Sequence, residues 1–148
     1  MSLPLPPPDL AYGGVRLSFA TILPGEPEFG VVPSYHFRIV CEDGTDFGYL
    51  NIRIGNTEHV RLYAGHIAYS IEQAHRGHSY AGVACRAVAR FVRTLYPETI
   101  LTTSPGNHAS IRTIEKLGAE FIEELRVPSH DPSYLGGARW KRRYRWRP

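Results

Sequence analysis

The stretch QAHRGHSYAGVACRAVARFV, residues 73–92, decides how this chain folds. Before it, apolar residues alternate as in a strand, and from Tyr80 onward they recur with the spacing of a helix. Arg76, Gly77 and the small residues Ser79 and Ala81 occupy the join. A helix N-terminus presents unpaired N–H groups, and small residues let the oxygens of an anion reach them. The join therefore predicts a cradle for a phosphate or pyrophosphate, although alone the same pattern is more often only a turn with a solvated arginine.

Outward from this join, the chain alternates between strand and helix patterns. The strands before it form a meander, and a helix, a strand, a helix and two final strands follow. Pro97 and Gly118 are predicted to end the two helices. The predicted strands are 14–20, 35–43, 46–54, 59–72, 99–104, 119–127 and 138–146, and the predicted helices are 80–96 and 108–118.

The bulk composition is that of one globular domain spanning residues 1–148. Hydrophobic residues make up 43% of the chain and charged residues 21%. No apolar run approaches the roughly 18 residues of a membrane span, and no secretion signal is evident. Cys41 and Cys85 fit no metal spacing, so we expect two reduced thiols in a cytoplasmic protein. Residues 1–12 are rich in proline and are predicted to form an extended, loosely held arm.

The positive charge of the chain is concentrated at its C-terminus. Without the six basic residues among the last ten, 11 basic residues face 14 acidic ones, because 17 − 6 = 11. Aromatic and basic residues alternate in this segment. One interpretation is an edge or interface strand with a solvated charged face, which would also allow a homodimer. The other is a contact with RNA, a ribosome or an acidic partner. The basic residues are Arg139, Lys141, Arg142, Arg143, Arg145 and Arg147.

Two motifs carry a resemblance to a known family. RGHSYA, residues 76–81, is similar to the pyrophosphate signature of the GNAT superfamily of acyl-CoA-dependent N-acyltransferases. NHASIRTIEKLG, residues 107–118, resembles its second signature, an Asn opening a helix that ends in Glu-Lys-Leu-Gly. The chain also resembles uncharacterised predicted acetyltransferases. The resemblance implies an α/β (α+β) fold with a mixed, mostly antiparallel twisted sheet of six to seven strands and helices on both faces, the N-terminal helices being reduced or missing.

The resemblance also implies where acetyl-CoA, the cosubstrate, would bind. Backbone groups of the third strand would pair with the pantetheine arm, and Arg76 with the amides of residues 77–81 would hold the pyrophosphate. Asn107 and Ser110 would touch the pantetheine or the thiol, although Asn107 also suits a helix N-cap. No histidine spacing indicates a metal. The implied cofactor-binding residues are Ile71, Glu72, Gln73, Arg76, Gly77, His78, Ser79, Tyr80, Ala81, Asn107 and Ser110.

Three positions depart from the family pattern. Ser79 replaces a usual glycine, Ile114 replaces a tyrosine that protonates the departing thiolate, and Gly65 replaces a glutamate that serves some members as general base. We therefore take Tyr63 and His66, with Glu58 beside them, as candidate catalytic groups on the third strand.

Further contributions to catalysis are implied near these positions. Ser110 is a candidate thiol contact. A backbone N–H near Tyr69 or Ser70 is a candidate donor to the oxyanion.

These observations predict an N-acetyltransferase in which a primary amine attacks acetyl-CoA directly in a ternary complex. The amine belongs to a small molecule or a peptide. A non-catalytic acyl-CoA-binding module is the first alternative. A nucleic-acid- or ribosome-associated protein, acting through the basic C-terminal strand, is the second and less favoured one.

Overall fold

The computed structural model describes residues 3–148, within which eight strands and three α-helices are found. A 3₁₀ turn precedes β3 (Pro27–Phe29), a π-helical segment precedes β5 (His59–Ala64), and a second 3₁₀ turn precedes α1 (Gln73–His75). The strands are β1 (Ala11–Tyr12), β2 (Val15–Leu23), β3 (Ser34–Cys41), β4 (Asp46–Arg53), β5 (Ile67–Ile71), β6 (Thr99–Thr103), β7 (Glu120–Arg126) and β8 (Trp140–Trp146), and the helices are α1 (Tyr80–Leu95), α2 (His108–Lys116) and α3 (Pro132–Leu135).

The strands form two antiparallel sheets. The larger has the order β1-β2-β3-β4-β5 and the smaller has the order β6-β8-β7. The α+β class and the antiparallel arrangement are confirmed, and the seven predicted strands are present with the two-residue β1 in addition. Between β2 and β3 lies only the 3₁₀ turn, so the predicted reduction of the N-terminal helices is also confirmed.

Helix α1 supplies one side of the core. Its apolar face, which includes Val88, Phe91 and Val92, is buried. The Phe91 ring packs edge-on against Tyr35 of β3, with ring centroids 5.1 Å apart. At the N-terminus of α1, the Tyr80 ring stacks on Phe47 of β4 with centroids 4.1 Å apart, so both ends of the helix are packed against the larger sheet.

The two sheets share one hydrophobic core and are joined by hydrogen bonds where β5 begins beside β6. The His66 N–H donates to the Ile100 carbonyl at 2.7 Å, and the Ile100 N–H donates to His66 Nδ1 at 2.9 Å. Beyond this joint, β5 pairs only with β4 among the described residues. The edge of β5 that faces β6 is therefore left open, as in a wedge.

The prediction of one strand over residues 59–72 is wrong in its first half. Residues 59–64 form the π-helical segment, closed by a 2.8 Å bond from the Gly65 N–H to the Val60 carbonyl. The buried Val60 and Tyr63 are spaced as on a helix, but this short run also alternates as a strand does. Tyr63 therefore does not share a strand face with Tyr69.

The N-terminal residues are held more firmly than predicted. Leu10 is fully buried in the core, and Leu3 packs against it. Asp9 pairs with Arg90 of α1, and the Tyr35 hydroxyl donates to the Pro4 carbonyl. The expectation of a loosely held arm is wrong for residues 3–10, because this segment covers the apolar end of the sheet.

Strand β8 is the central strand of the smaller sheet, so the prediction of an edge strand is wrong. Tyr144 and Trp146 are buried on one face. On β8 and just after it, basic side chains pair with glutamates of β7 and of the segment before β6. These are Arg142 with Glu124, Arg143 with Glu123, Arg145 with Glu98 and Glu120, and Arg147 with Glu98. The charge that suggested a nucleic-acid contact is thus largely paired within the sheet.

No helix within residues 3–148 is long and apolar enough to cross a membrane.

Candidate active site

A cleft of about 640 Å³ opens between β5, the N-terminus of α1 and α2. It gathers most of the residues that the two motifs predicted for the cosubstrate. Glu72, Gln73 and His78 do not line it. The predicted residues that do are Ile71, Arg76, Gly77, Ser79, Tyr80, Ala81, Asn107 and Ser110.

The N-terminus of α1 presents free amides to this cleft. Ser79 is the N-cap, with φ of 62°, and its side chain makes no capping bond. The Val83 N–H already bonds to the Ser79 carbonyl at 3.1 Å. The N–H groups of residues 80–82 form no hydrogen bond within the described part of the chain. Ser79 also adopts the left-handed conformation that glycine takes readily, which explains how it can replace the family glycine.

Four cations line the cleft, and no aspartate or glutamate of residues 3–148 does. They are Arg76, Arg86, Arg112 and Lys116. Arg76 Nε donates to the Ile71 carbonyl at 2.9 Å, which anchors the side chain while its two terminal nitrogens stay available. The free amides and the cations together suit a polyanion.

The open edge of β5 can be assigned from its pairing with β4. The His66 carbonyl accepts from Arg53 N–H at 2.7 Å, and the Glu72 N–H donates to Phe47 at 2.8 Å. In an antiparallel ladder successive residues point to opposite sides, so the intervening odd-numbered residues direct their backbone groups away from β4. Tyr69, rather than Ser70, therefore turns its N–H toward the wedge.

At the inner end of the cleft, β5 and α2 are joined by side chains. The hydroxyls of Tyr69 and Ser110 lie 2.9 Å apart. Asn107 is the N-cap of α2, and its Oδ1 accepts from the Ser110 N–H at 3.1 Å. Burial raises the pKa of Tyr69 to about 12, so its phenol stays protonated near neutral pH.

A second cavity, of about 400 Å³, lies on the other side of this Tyr69–Ser110 pair. It shares Tyr69, Asn107 and Ser110 with the first cleft. Its other walls come from β4, the π-helical segment, β6, α3 and β8. The two spaces therefore meet at one point, as a two-substrate reaction requires.

Arg53 and Lys141 put positive charge into the second cavity. Arg53 donates to the carbonyls of Ala64 and Gly65 at 3.0 and 3.1 Å. Burial lowers the pKa of both Arg53 and Lys141, and the Arg53 charge lowers the pKa of Lys141 further. Neither forms an ion pair within residues 3–148.

His59 and Asp131 form a buried dyad at the same cavity. His59 Nδ1 lies 2.9 and 3.0 Å from the two carboxylate oxygens of Asp131, and one of these also accepts from the Ser133 N–H at 2.9 Å. His59 itself lines the cavity. Because the carboxylate accepts from Nδ1, the neutral ring leaves Nε2 as a proton acceptor.

The structure does not support Tyr63 or His66 as catalytic groups. Both are buried and line neither cavity. His66 Nδ1 accepts from Ile100, and its Nε2 lies 2.8 Å from Asn56 Oδ1, so both ring nitrogens are engaged. Burial, with the Arg53 charge, lowers the pKa of His66 to about 4. Its role here is to join the two sheets.

The two missing family residues have structural explanations. A Cβ on Gly65, whose φ is 78°, would lie 2.9 Å from the Ile100 carbonyl oxygen and 3.1 Å from the Thr102 nitrogen, so no glutamate fits there without moving β6. Ile114 is 1% exposed and belongs to the core. His59 is the first residue of the π-helical segment, and Gly65, the position of the missing glutamate, directly follows its last residue.

Four residues at the second cavity were missed by the sequence analysis: Arg53, His59 and Lys141, which line it, and Asp131, which contacts His59. They come from four separate segments, so no spacing connects them. The only local signal was Asp131-Pro132-Ser133, a helix N-terminus pattern that would have predicted α3.

The wedge between β5 and β6, with a cationic helix N-terminus beside it, defines an acyltransferase-like α+β domain. The chain belongs to the GNAT acetyltransferase family, because residues 20–120 match the sequence model described as "Acetyltransferase (GNAT) domain". No curated protein gives a significant match to the chain.

Solved structures show the same fold. An acetyltransferase from Agrobacterium tumefaciens str. C58 is 22% identical over 78% of this chain and 61% of its own, with a TM-score of 0.55. The microcin C7 self-immunity acetyltransferase MccE, in complex with acetyl-CoA and AMP, is 12% identical over 78% and 61%, with a TM-score of 0.59. RimL, a ribosomal L7/L12 alpha-N-protein acetyltransferase in complex with coenzyme A, is 13% identical over 76% and 60%, with a TM-score of 0.57. This chain spans less than two thirds of the length of each.

Proposed function

We propose that this protein is an N-acetyltransferase that transfers the acetyl group of acetyl-CoA to a primary amine by direct attack in a ternary complex. The observation that carries this proposal is the meeting of the two cavities at Tyr69 and Ser110. A thioester that enters along the first cleft would reach this point with its carbonyl carbon, and an amine in the second cavity would face it. Membership of the acetyltransferase family and the neighbours solved with acetyl-CoA or coenzyme A support the choice of cosubstrate.

The first cleft would hold the pyrophosphate with the Arg76 guanidinium and the amides at the start of α1. The pantetheine amides would pair with the open edge of β5 through the Tyr69 carbonyl and the Ile71 N–H, because the Ile71 carbonyl already accepts from Arg76 Nε. The predicted roles of Glu72, Gln73 and His78, which do not line the cleft, remain predictions.

The second cavity would supply the base. His59 Nε2 takes a proton from the ammonium group of the acceptor, and Asp131 stabilises the resulting imidazolium. The neutral amine nitrogen then forms a bond to the acetyl carbon, the carbon–sulfur bond breaks, and the electron pair leaves on sulfur. The second proton of the attacking nitrogen passes to solvent or to the leaving thiolate.

The junction would stabilise the charges that develop during transfer. The Tyr69 N–H donates to the carbonyl oxygen as it becomes negative. Either hydroxyl can donate across the Tyr69–Ser110 pair, and with Tyr69 as the donor the Ser110 hydroxyl is free to donate to sulfur. A thiol with a pKa near ~8.5 leaves tolerably as thiolate, so this donor replaces the missing tyrosine at position 114.

A non-catalytic acyl-CoA-binding module is the second candidate, favoured by Gly65 and Ile114. The paired charges on β8 make the nucleic-acid alternative weaker still. A cytoplasmic location, a homodimer and a single domain over residues 1–148 remain predictions.

The experiment combines calorimetry with acetyl-CoA and release of free thiol over a panel of amines. We expect binding in the wild type, turnover with at least one class of amine, and loss of turnover without loss of binding in His59→Gln. His130→Gln is the matched control, because His130 is exposed and remote in sequence from both motifs. Binding without turnover would establish the non-catalytic candidate, and absence of both would overturn the proposal.

A further inference from the structure

The second cavity holds two cations that the proposed chemistry does not use. Arg53 Nη1 donates to the carbonyls of Ala64 and Gly65. The other terminal nitrogen, Nη2, donates to no acceptor among the described residues. The Lys141 ammonium group makes no hydrogen bond or ion pair within residues 3–148, although its backbone lies in the β7–β8 ladder. The two are close enough that the charge of Arg53 lowers the pKa of Lys141.

The one acidic group near them is already engaged. Asp131 attracts Lys141 at longer range, since its charge raises the pKa of that lysine, but its oxygens are bound to His59 and to the Ser133 N–H. No aspartate or glutamate of the described chain lines the cavity itself. Two like charges in a partly desolvated site are costly unless an anion is bound between them.

Neutral donors lie in the same walls. Ser104 and Ser133 line the cavity beside the two cations, and their hydroxyls make no hydrogen bond within the described residues. Two cations and two free hydroxyls are the donor set expected around a carboxylate or a phosphate.

We infer that the acceptor amine of this enzyme carries an acid group, a carboxylate or a phosphate, which binds between Arg53 and Lys141. The inference rests on the proposed function, because it places the acceptor in the second cavity. The acid group anchors the molecule, and its amine points toward Tyr69 and Ser110.

The same cations assist the reaction. A positive environment disfavours the ammonium form of the acceptor and so favours the neutral amine that attacks. In an acceptor without an acid group, the two cations repel the ammonium group, and no attraction to a negative charge compensates for this repulsion. The cavity therefore favours acid-bearing amines in two ways: the cations attract the acid group, and they favour the neutral form of the amine that the acid group holds in place.

The test uses matched amines with acetyl-CoA as donor. Alanine is compared with alaninamide, and O-phosphoethanolamine with ethanolamine, so the two arms separate carboxylate from phosphate. In one arm we expect the acid-bearing member to have a kcat/KM at least about tenfold higher, since a charge-assisted hydrogen bond corresponds to roughly ten- to a hundredfold.

Variants connect this preference to the two side chains. Lys141→Gln removes a charge that supports no other contact, and we expect it to lower kcat/KM about tenfold or more for the acid-bearing amine and less than threefold for its neutral partner. Lys141→Arg should restore the preference, and Arg53→Gln should abolish it. Arg16→Gln is the control, because Arg16 is exposed on β2.

Equal kcat/KM for both members in both arms would overturn the inference, and so would a Lys141→Gln loss that is the same for acidic and neutral amines. Where no amine releases thiol, calorimetry on CoA-loaded protein decides. Binding of an acid-bearing amine that disappears in Lys141→Gln would support the anion site and refute transfer. Absence of such binding would overturn the anion site.

Discussion

The two cavities that meet at Tyr69 and Ser110 are built in opposite ways. The lining of the first comes mostly from two stretches of the chain, within residues 69–86 and 107–117, and offers main-chain amides and small side chains beside its four cations. The second takes single polar or charged side chains from β4, the π-helical segment and β8. Under the proposed function, the cosubstrate would be recognised largely through backbone groups, whereas the acceptor would be recognised through side chains that the fold brings together. The first kind of site leaves a motif in the sequence, and the second kind does not.

The two cavities also differ in how their cations are solvated. Arg76 and Arg112 of the first cleft are exposed to solvent. Arg53 and Lys141 of the second are partly buried, and burial lowers their pKa. Under the proposed function, charge in the first cleft would mainly attract and hold a polyanion, while charge in the second would also discriminate among acceptors.

The largest effect is expected from the dyad of the second cavity. His59→Gln should lower kcat about 10²- to 10⁴-fold, because a positioned base contributes that much to proton transfer. The dissociation constant for acetyl-CoA should stay within about twofold of the wild type, since His59 lies outside the first cleft. Thiol release and calorimetry measure the two quantities.

Acetyl-CoA affinity separates catalysis from packing in this variant, because a protein that misfolds should lose binding and turnover together. A variant that binds acetyl-CoA normally and keeps more than a tenth of the wild-type kcat would show that the base lies elsewhere.

The sequence predicted the first cavity well because its determinants are local. The strand-to-helix join, the Asn107 cap and the order of strands and helices are written in short, contiguous patterns. Arg76, Ser79 and Ser110 were chosen from those patterns, and the structure places them around one cleft. Their roles in binding remain predictions.

The second cavity could not be predicted for a physical reason. The run HVRLYA alternates apolar and polar residues, yet it folds as a π-helical segment because Gly65 turns the chain against β6. That turn places His59 beside Asp131, 72 residues later. A pattern of two-residue period contains no information about such a contact. The prediction of a strand over residues 59–72 is also the reason why Tyr63 and His66 were taken as candidate catalytic residues.

The joint between the sheets gives the second prediction, because both cavities depend on it. His66 is 4% exposed, and its folded-state pKa is about 4 against about 6.5 in the unfolded chain. Between these values only the unfolded chain binds the proton. The stabilisation is therefore complete above pH 6.5 and decreases as pH falls toward 4, by up to about 3 kcal/mol.

Denaturant unfolding across pH 4–7 measures this difference. His66→Gln should be less stable at pH 7, since it loses the bond from the Ile100 N–H, and its stability should fall less steeply between pH 6.5 and 4. His78→Gln, at an exposed histidine, should keep the wild-type slope. Identical slopes in His66→Gln and the wild type would show that His66 is not the group that is protonated on unfolding.

Arg76 gives the third prediction and tests the first cavity alone. Arg76→Ala should weaken acetyl-CoA binding about 10- to 100-fold, the loss expected for a charge-assisted hydrogen bond of roughly 1.5–3 kcal/mol. The KM for the acceptor amine should change little, because Arg76 does not line the second cavity. Arg16→Ala is the matched control. Unchanged affinity in a folded Arg76→Ala protein would refute the pyrophosphate assignment.

The smallest effect is expected at the point where the cavities meet. Tyr69→Phe removes the hydroxyl that lies 2.9 Å from Ser110 Oγ and keeps the ring that packs at the core. A neutral hydrogen bond contributes about 1 kcal/mol, so kcat should fall less than about tenfold. The affinity for acetyl-CoA should stay within about threefold. Because the pKa of Tyr69 is about 12, the ratio of wild-type to variant kcat should be constant from pH 6 to 9.

A double-variant cycle decides whether Tyr69 is a positioning residue that acts through Ser110. If it orients the Ser110 hydroxyl toward sulfur, Ser110→Ala should already include its effect, and adding Tyr69→Phe to Ser110→Ala should cost nothing further. Additive losses would mean that the two hydroxyls act independently. A loss above a hundredfold in Tyr69→Phe alone would place its hydroxyl in direct contact with the reacting atoms. Tyr69 would then be a catalytic residue, and not a positioning residue that acts through Ser110.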